Sequence, residues 1–332
     1  MTGGNLLFLN QAEVRELLDL PECIAAVASA FRAHAEGNVP VAPGILGAHV
    51  GEGGFHVKTA ALAGPPTYFA VKINANFPGN PSRFGLPMIQ GLIALFEAGR
   101  GTPLAVMDSI EITILRTAAA SAVAATHLAR PDAAVLTICG CGNQGRSHLR
   151  AILQVRPIRK VFAFDSDPEC ARRFARELGD ELRLDICTVK TLDDAVPASD
   201  ICVTCTPARA PVLPASLVRP GLFIAAVGSD SPDKQELEPG VLLGSTVVVD
   251  ILEQAATIGE LHHAVAAGVM GAADVHAELG QVVAGLRPGR TSEEEVFVFD
   301  STGTALQDVA TASLVYERAV RLGRGHSLLL AS

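Results

Sequence analysis

The chain has 332 residues, enough for about two domains of ordinary size. Apolar residues make up 49% and charged residues 18%, which excludes a disordered chain. A net charge of −9 with no basic run argues against nucleic acid or an anionic membrane as a partner. No run of 18 apolar residues occurs, so no membrane-spanning helix is expected. The N-terminus carries Glu13, Arg15 and Glu16 early, with no basic region before them, and does not read as a signal peptide. Of the seven cysteines, Cys202-Val203-Thr204-Cys205 has C-x-x-C spacing but lies in an apolar, strand-like run, and Cys139-Gly140-Cys141 lacks further ligands. They are expected to be reduced, in a cytoplasmic protein, with no metal. His262-His263 and His276 have no third ligand nearby and read as solvated or hydrogen-bonded side chains.

The first 35 residues read as two short helices, with Asn10 and Leu20-Pro21-Glu22 as start signals. Residues 40–107 are rich in Gly and Pro. Their apolar runs Phe55–Ala61, Tyr68–Ile73, Met88–Phe96 and Leu104–Met107 predict a mainly antiparallel sheet. Asp108-Ser109-Ile110-Glu111 resembles a capping box opening a helix over 109–129, which Arg130-Pro131 ends. From 133 the pattern alternates. Strands are predicted at 134–139, 160–164, 201–205, 222–227, 246–249 and 296–299, and helices at 144–154 and 168–177. Alternation of this kind predicts βαβ units and a parallel sheet. A terminal helix over 304–320 is expected to return to the first domain. The fold class is therefore α/β: a doubly wound Rossmann domain over 114–305, plus an α+β domain for substrate and dimerisation over 1–113 and 306–332.

Gly140, Gly142 and Gly145 fit G-x-G-x-x-G between the strand Val135–Ile138 and a helical segment. Gly140 permits the tight turn. Gly142 removes a side chain where backbone meets pyrophosphate. Gly145 lets helix and strand pack closely. Asn143 and Gln144 lie between them, at a helix N-terminus suited to an anion. Asp165 lies 20 residues beyond Gly145, at the end of the next strand. A carboxylate there accepts from the ribose hydroxyls and repels a 2′-phosphate, which favours NAD. Arg172 and Arg173 nearby leave room for NADP.

Together with this motif, several stretches resemble the ornithine cyclodeaminase/mu-crystallin family, which includes archaeal-type alanine dehydrogenases and ketimine reductases. They are Val71-Lys72-Ile73-Asn74, Pro78-Gly79-Asn80, Leu115-Arg116-Thr117-Ala118-Ala119, Gly228-Ser229-Asp230-Ser231-Pro232, Lys234-Gln235-Glu236-Leu237 and Phe299-Asp300-Ser301-Thr302-Gly303. The match runs in order along almost the whole chain. The resemblance implies a homodimer whose sheet domains join across the two-fold, and an active site in the cleft between domains. It also implies hydride transfer between nicotinamide and the α-carbon of a small amino or imino acid.

By that resemblance Lys72 binds the substrate carboxylate or polarises the reacting centre. In its apolar strand a lysine is otherwise costly unless paired or facing a cleft, or else snorkels at a sheet edge. Arg116 has no acid at i±4 on its helix, which suggests a bidentate carboxylate ligand, with a salt bridge between domains as the alternative. Asp230 follows a strand end and, partly desolvated, takes the acid/base role. Thr206, Val227, Gly228 and Ser301 follow strand ends and are expected to contact the cofactor.

Two departures from the family bear on substrate. Many relatives carry a basic residue after their first Pro-Pro; here Val41-Ala42-Pro43-Gly44-Ile45 has none. Where ornithine cyclodeaminases place an acid for the distal ammonium, this chain has His56, with Lys58 two residues on. A cationic pocket disfavours a diamino acid. Lys58 replaces the missing base, grips a second acidic group, or faces solvent. The expectation is an NAD-dependent amino-acid dehydrogenase or imine reductase. The alternatives are an ornithine cyclodeaminase that recycles its NAD, and a small-molecule binder like mu-crystallin.

Overall fold

The computed structural model describes residues 5–330 and divides into two units. One runs to Arg116 and resumes at Thr304; the other is Thr117–Gly303. The division falls inside the helix Ile110–Leu128. No helix among the described residues is long and apolar enough to cross a membrane. All seven cysteines are free.

The first unit is built on strands β1 (Asn5–Leu9), β2 (Val41–Val50), β3 (Gly53–Leu62), β4 (Tyr68–Asn76), β5 (Ile89–Glu97) and β6 (Thr102–Asp108). β2 to β6 form an antiparallel meander, β1 joins β6 in parallel, and the strand His326–Leu329 pairs antiparallel with β1. Alternation gives the sheet two faces. One buries Ala60, Ala70, Ile93, Leu95 and Met107, and the helix Ala305–Leu322 packs on β3 and β4. Lys58 and Lys72 belong to this buried face by register. The other face leaves Leu46, Phe55, Ile73 and Leu92 exposed.

Three strands here escape the sequence reading, the short C-terminal strand His326–Leu329 among them. β1 is a short apolar run ahead of the two helices, and β2 is the edge strand with little apolar alternation. The capping box at Asp108 is only half as expected. The Asp108 carboxylate accepts from the Ile110 N–H at 2.8 Å, but the Glu111 carboxylate turns instead to Gln11 and Arg15. A guanidinium supplies a stronger partner than a backbone amide.

The second unit holds β7 (Val135–Cys139), β8 (Lys160–Phe164), β9 (Asp185–Thr188), β10 (Ile201–Thr204), β11 (Arg209–Leu213), β12 (Phe223–Ala226), β13 (Gln235–Leu237), β14 (Thr246–Val249), β15 (Ala277–Glu278) and β16 (Phe297–Asp300). Eight of them form one sheet in the order β15-β14-β16-β12-β10-β7-β8-β9, every neighbouring pair parallel. β11 and β13 pair separately. The chain order reverses between β7 and β10, and that switch point is where open parallel sheets bind ligands, beyond the carboxyl ends of the strands. The helix Pro168–Leu182 runs a turn past its expected end because Leu178 continues the buried stripe of Ala171 and Phe174.

Candidate active site

In the first unit the β3–β4 register sets Lys58 directly opposite Lys72. Thr113 and Arg116 come from the helix Ile110–Leu128, and Gln307 and Asp308 from the first turn of Ala305–Leu322. Lys72 Nζ lies 2.8 Å from Asp308 Oδ1 and 3.5 Å from Thr113 Oγ1. Arg116 donates through Nη1 to Gln307 Oε1 at 2.5 Å. Its Nε lies 3.0 Å from Asp308 Oδ1, within ion-pair distance but not aligned as a hydrogen bond. Lys58, Lys72, Arg116, Gln307 and Asp308 are all under a tenth exposed. Asp308 also sits where the helix N-terminus favours negative charge.

Burial, then the charge of Arg116, pulls Lys72 down to about 7, with Lys58 adding to the effect and Asp308 opposing it. Burial works to raise the Asp308 carboxyl, but Lys72, Arg116 and Lys58 together hold it below its ordinary value. Beyond Arg116 Nε, two further buried polar atoms of the cluster, Asp308 Oδ2 and Gln307 Nε2, have no hydrogen-bond partner. The expectation that Arg116 lacks an acid is corrected here: its partner comes from a distant helix, which spacing along its own helix cannot reveal. Sequence reasoning missed Asp308 and Gln307, because their partners come from elements distant along the chain. Lys58, which could have faced solvent, is buried. His56 lies two residues before Lys58, half-buried and opposite Asn74 in register.

In the second unit five neighbouring strands, in the order β16-β12-β10-β7-β8, are each followed by predicted site residues. After β7, Gly140 adopts φ +102°, a conformation that suits glycine. A Cβ on Gly145 would stand 2.1 Å from the Gly140 carbonyl oxygen. A Cβ on Gly142 would meet nothing within 4 Å, so backbone is open to a ligand there. The helix Asn143–Leu153 follows, with Gly142 as its N-cap and no capping side chain. Gln144 Oε1 is buried without a partner. After β8, Asp165 accepts from the N–H groups of Cys141 and Asp167 at 2.8 and 2.9 Å, which ties it to the glycine turn. After β10 and β12, Thr206 and Gly228 donate their N–H groups to Glu236, and Val227 donates to the Thr204 carbonyl. After β16, Ser301 Oγ is buried without a partner.

Sequence reasoning missed the carboxylates behind these loops. Glu236, fully buried, also accepts from Thr204 Oγ1. Glu260 accepts from the N–H groups of Glu236 and Leu237, and Asp300 from that of Leu261. Glu260 thus holds the backbone that carries Glu236, and Asp300 holds the backbone beside Glu260. Burial pushes Glu260 up to about 9, with Asp300 and Glu236 adding, and Asp300 up to about 7. Only Asp300, at the end of the apolar run Val296–Phe299, carried a local signal.

Asp230 requires a correction. Its side chain is 48% exposed and ion-paired with Lys234 at 2.5 Å, so the expected desolvation is absent. The loop past Gly228 carries it out of the core. The ring nitrogens of His263 and His276 pair with the carbonyls of Lys234 and Pro288. Among the described residues no group of His, Cys, Asp or Glu is arranged to hold a metal.

The turn fits a dinucleotide: an open backbone at Gly142, a helix N-terminus behind it, a carboxylate at the next strand end, and orphaned polar atoms on Gln144 and Ser301. The family model described as ornithine cyclodeaminase/mu-crystallin matches residues 5–322. The chain belongs to that family. Three solved members of the ornithine cyclodeaminase/mu-crystallin family resemble it over nearly their whole length. An archaeal alanine dehydrogenase dimer with bound NAD is 40% identical, with a TM-score of 0.93 over 98% of this chain and 99% of that one. The Delta(1)-pyrroline-2-carboxylate reductase of Thermococcus litoralis, in complex with NADH and L-proline, is 34% identical, with a TM-score of 0.93 over 97% and 100%. The iminosuccinate reductase of Paracoccus denitrificans, in complex with NAD+, is 31% identical, with a TM-score of 0.90 over 98% and 99%. These family members are oxidoreductases of amino acids or imines.

Proposed function

We propose that this chain is an NAD-dependent oxidoreductase that interconverts a small amino acid, or cyclic amine acid, with its imine. The observation that carries this reading is the buried Lys72–Asp308–Arg116 cluster with the unpartnered Asp308 Oδ2 and Gln307 Nε2, in a chain that also holds a dinucleotide-binding turn. Gly140, Gly142, Asn143, Gln144 and Gly145 hold the pyrophosphate. Asp165 holds the ribose. Thr206, Val227, Gly228 and Ser301 line the remainder. When bound, NAD supplies the nicotinamide C4 that takes or gives the hydride.

The protein groups do the rest. Arg116 and Gln307 hold the substrate carboxylate, and fixing it there sets the α-carbon in place, an effect able to supply several kcal/mol. Lys72, poised near neutrality, donates to or accepts from the substrate nitrogen or oxygen as its charge changes. Asp308 keeps the lysine oriented. Asp230 exchanges the second proton with water, which requires its pair with Lys234 to open. The exposed apolar face of the first sheet, with Leu46, Phe55, Ile73 and Leu92, serves as a homodimer surface. The free thiols fit the reducing cytosol.

Absorbance at 340 nm tests the reading. NADH with 2-oxo acids plus ammonia, or with cyclic imines, should be oxidised steadily, and NAD with the matching amino acid reduced. Ammonia release from L-ornithine without net absorbance change would overturn it in favour of a cyclodeaminase.

A further inference from the structure

The first turn of the helix Ala305–Leu322 carries Gln307 and Asp308, both all but inaccessible to solvent. Each side chain has one atom engaged and one open. A guanidinium can only donate, so the Gln307 oxygen is the atom that accepts from Arg116 Nη1, and Nε2 is left as the open donor. Asp308 Oδ1 is taken by Lys72 at 2.8 Å and by the Arg116 ion pair at 3.0 Å. Against the pull of burial, Lys72, Arg116 and Lys58 hold the Asp308 carboxyl below its ordinary value, so it is ionised and can only accept. Asp308 Oδ2 and Gln307 Nε2 are buried without a hydrogen-bond partner, and so do not pair with each other. Buried groups left in this state are costly, and a ligand that satisfies both is favoured. One open donor and one open acceptor match a molecule with an acceptor and a donor at neighbouring positions. An α-amino or α-imino acid has that pattern: its carboxylate accepts and its nitrogen carries N–H. A 2-oxo acid presents two acceptors, and its carbonyl oxygen would stand against a carboxylate.

We propose that Asp308 is a catalytic residue that binds the substrate nitrogen, its Oδ2 accepting an N–H of the amine or imine while Gln307 Nε2 and Arg116 take the carboxylate. This rests on the oxidoreductase reading and assigns within it the group that tells nitrogen from oxygen. An anion beside the nitrogen also favours the protonated imine, the form whose α-carbon takes a hydride most readily. Lys72 sits on the other oxygen of the same carboxylate. In the reductive direction the α-carbon gains hydride from NADH, the C=N electron pair becomes the nitrogen lone pair, and Lys72 Nζ gives that pair its proton.

Two planar anions of the same shape test this role. Pyrrole-2-carboxylate carries N–H beside the carbon that bears its carboxylate, and 2-furoate carries an oxygen there. Calorimetry on the protein with NADH should give pyrrole-2-carboxylate at least tenfold tighter than 2-furoate, since a site built for a donor rejects the analogue without one. Asp308→Asn, whose NH2 can replace Oδ2, should bring the ratio below threefold. Asp230→Asn should leave it above tenfold, and that variant decides between the two acids where Asp308→Asn fails to fold or binds neither anion. A wild-type ratio under tenfold, a ratio still above threefold in Asp308→Asn, or one that falls below tenfold in Asp230→Asn overturns the inference. Steady NADH oxidation by cyclic imines, or by 2-oxo acids with ammonia, would leave the oxidoreductase reading intact in each of those cases. Asp308-dependent binding of pyrrole-2-carboxylate without turnover of any 2-oxo acid or imine supports the nitrogen site and sinks the oxidoreductase reading.

Discussion

Lys72 Nζ lies 2.8 Å from Asp308 Oδ1, and both side chains are all but inaccessible to solvent. The two halves of this pair differ in what their loss leaves behind. Asp308→Asn removes the carboxylate with which both Lys72 and Arg116 are paired. Breaking a buried pair in that way costs about 3–5 kcal/mol. Lys72→Met leaves Asp308 still paired with Arg116, so the cost should be smaller, about 1 kcal/mol, as for a change of similar volume. Both variants should lose nearly all hydride transfer. Urea melts read the first difference and absorbance at 340 nm the second. Equal destabilisation by the two variants would contradict the shared-carboxylate arrangement.

The pH dependence follows from the same pair. Lys72 titrates in the folded chain at about 7, against 10.5 for the ordinary side chain. Between those values the unfolded chain binds more protons, so stability should rise with pH across that window. In Lys72→Met this rise should vanish. Lys58 contributes to the lowering, so Lys58→Met should move the Lys72 titration upward. The limb near pH 7 in the wild-type profile of kcat/KM should shift to higher pH in that variant. An unmoved limb would mean that a different group controls the rate.

The glycines of the dinucleotide turn separate folding from binding. Gly145→Ala puts a methyl group 2.1 Å from the Gly140 carbonyl oxygen and 2.9 Å from Ile138 Cγ2. Backbone cannot yield there as a side chain does, so the melting temperature should fall by several degrees, for a cost of about 1–3 kcal/mol. Gly142→Ala meets nothing within 4 Å, and its φ of −75° suits alanine. Its melting temperature should stay near that of the parent while KM for NAD rises at least tenfold. Fluorescence melts and NAD titrations check both.

Asp165 sets the choice between the two nicotinamide cofactors. Asp165→Ser removes a carboxylate that repels a 2′-phosphate and keeps a hydroxyl within reach of the ribose. The ratio of kcat/KM for NAD over NADP should fall at least tenfold. Part of the loss with NAD will come from the Cys141 and Asp167 amides, which lose their acceptor. A ratio that does not move would place the adenosine ribose elsewhere.

The parts legible in the sequence are those with local signals. Gly140 to Gly145, Asp165 and the strand ends carrying Thr206, Gly228 and Ser301 lie beside the elements that position them. The antiparallel meander showed as short apolar runs between turns. Partners distant along the chain were not legible. Arg116 finds Asp308 on the helix Ala305–Leu322, and Glu236 finds amides after β10 and β12. Such contacts are made by tertiary packing, and no periodicity encodes them. Asp230 shows the converse: its place after a strand end suggested desolvation, but the path of the loop left it half-exposed.

Glu236 ties together the loops after β10 and β12. Its Oε1 accepts from the Thr206 N–H at 2.6 Å, and its Oε2 accepts from the Gly228 N–H and from Thr204 Oγ1 at 2.7 and 2.8 Å. Glu236→Gln keeps the shape but must place an NH2 against one donor. With Oε1 of the amide turned to Gly228 and Thr204, its nitrogen faces the Thr206 N–H, and that buried donor goes unsatisfied. The cost is about 1–3 kcal/mol. Glu236→Ala strands all three donors and should cost more. Because the loops bear the proposed cofactor contacts at Thr206 and Gly228, Glu236→Gln should raise KM for NAD at least fivefold. KM for the amino substrate should change less than twofold. A purely structural glutamate would lower stability without that split, so steady-state kinetics below the melting range of the variant decides between the two roles.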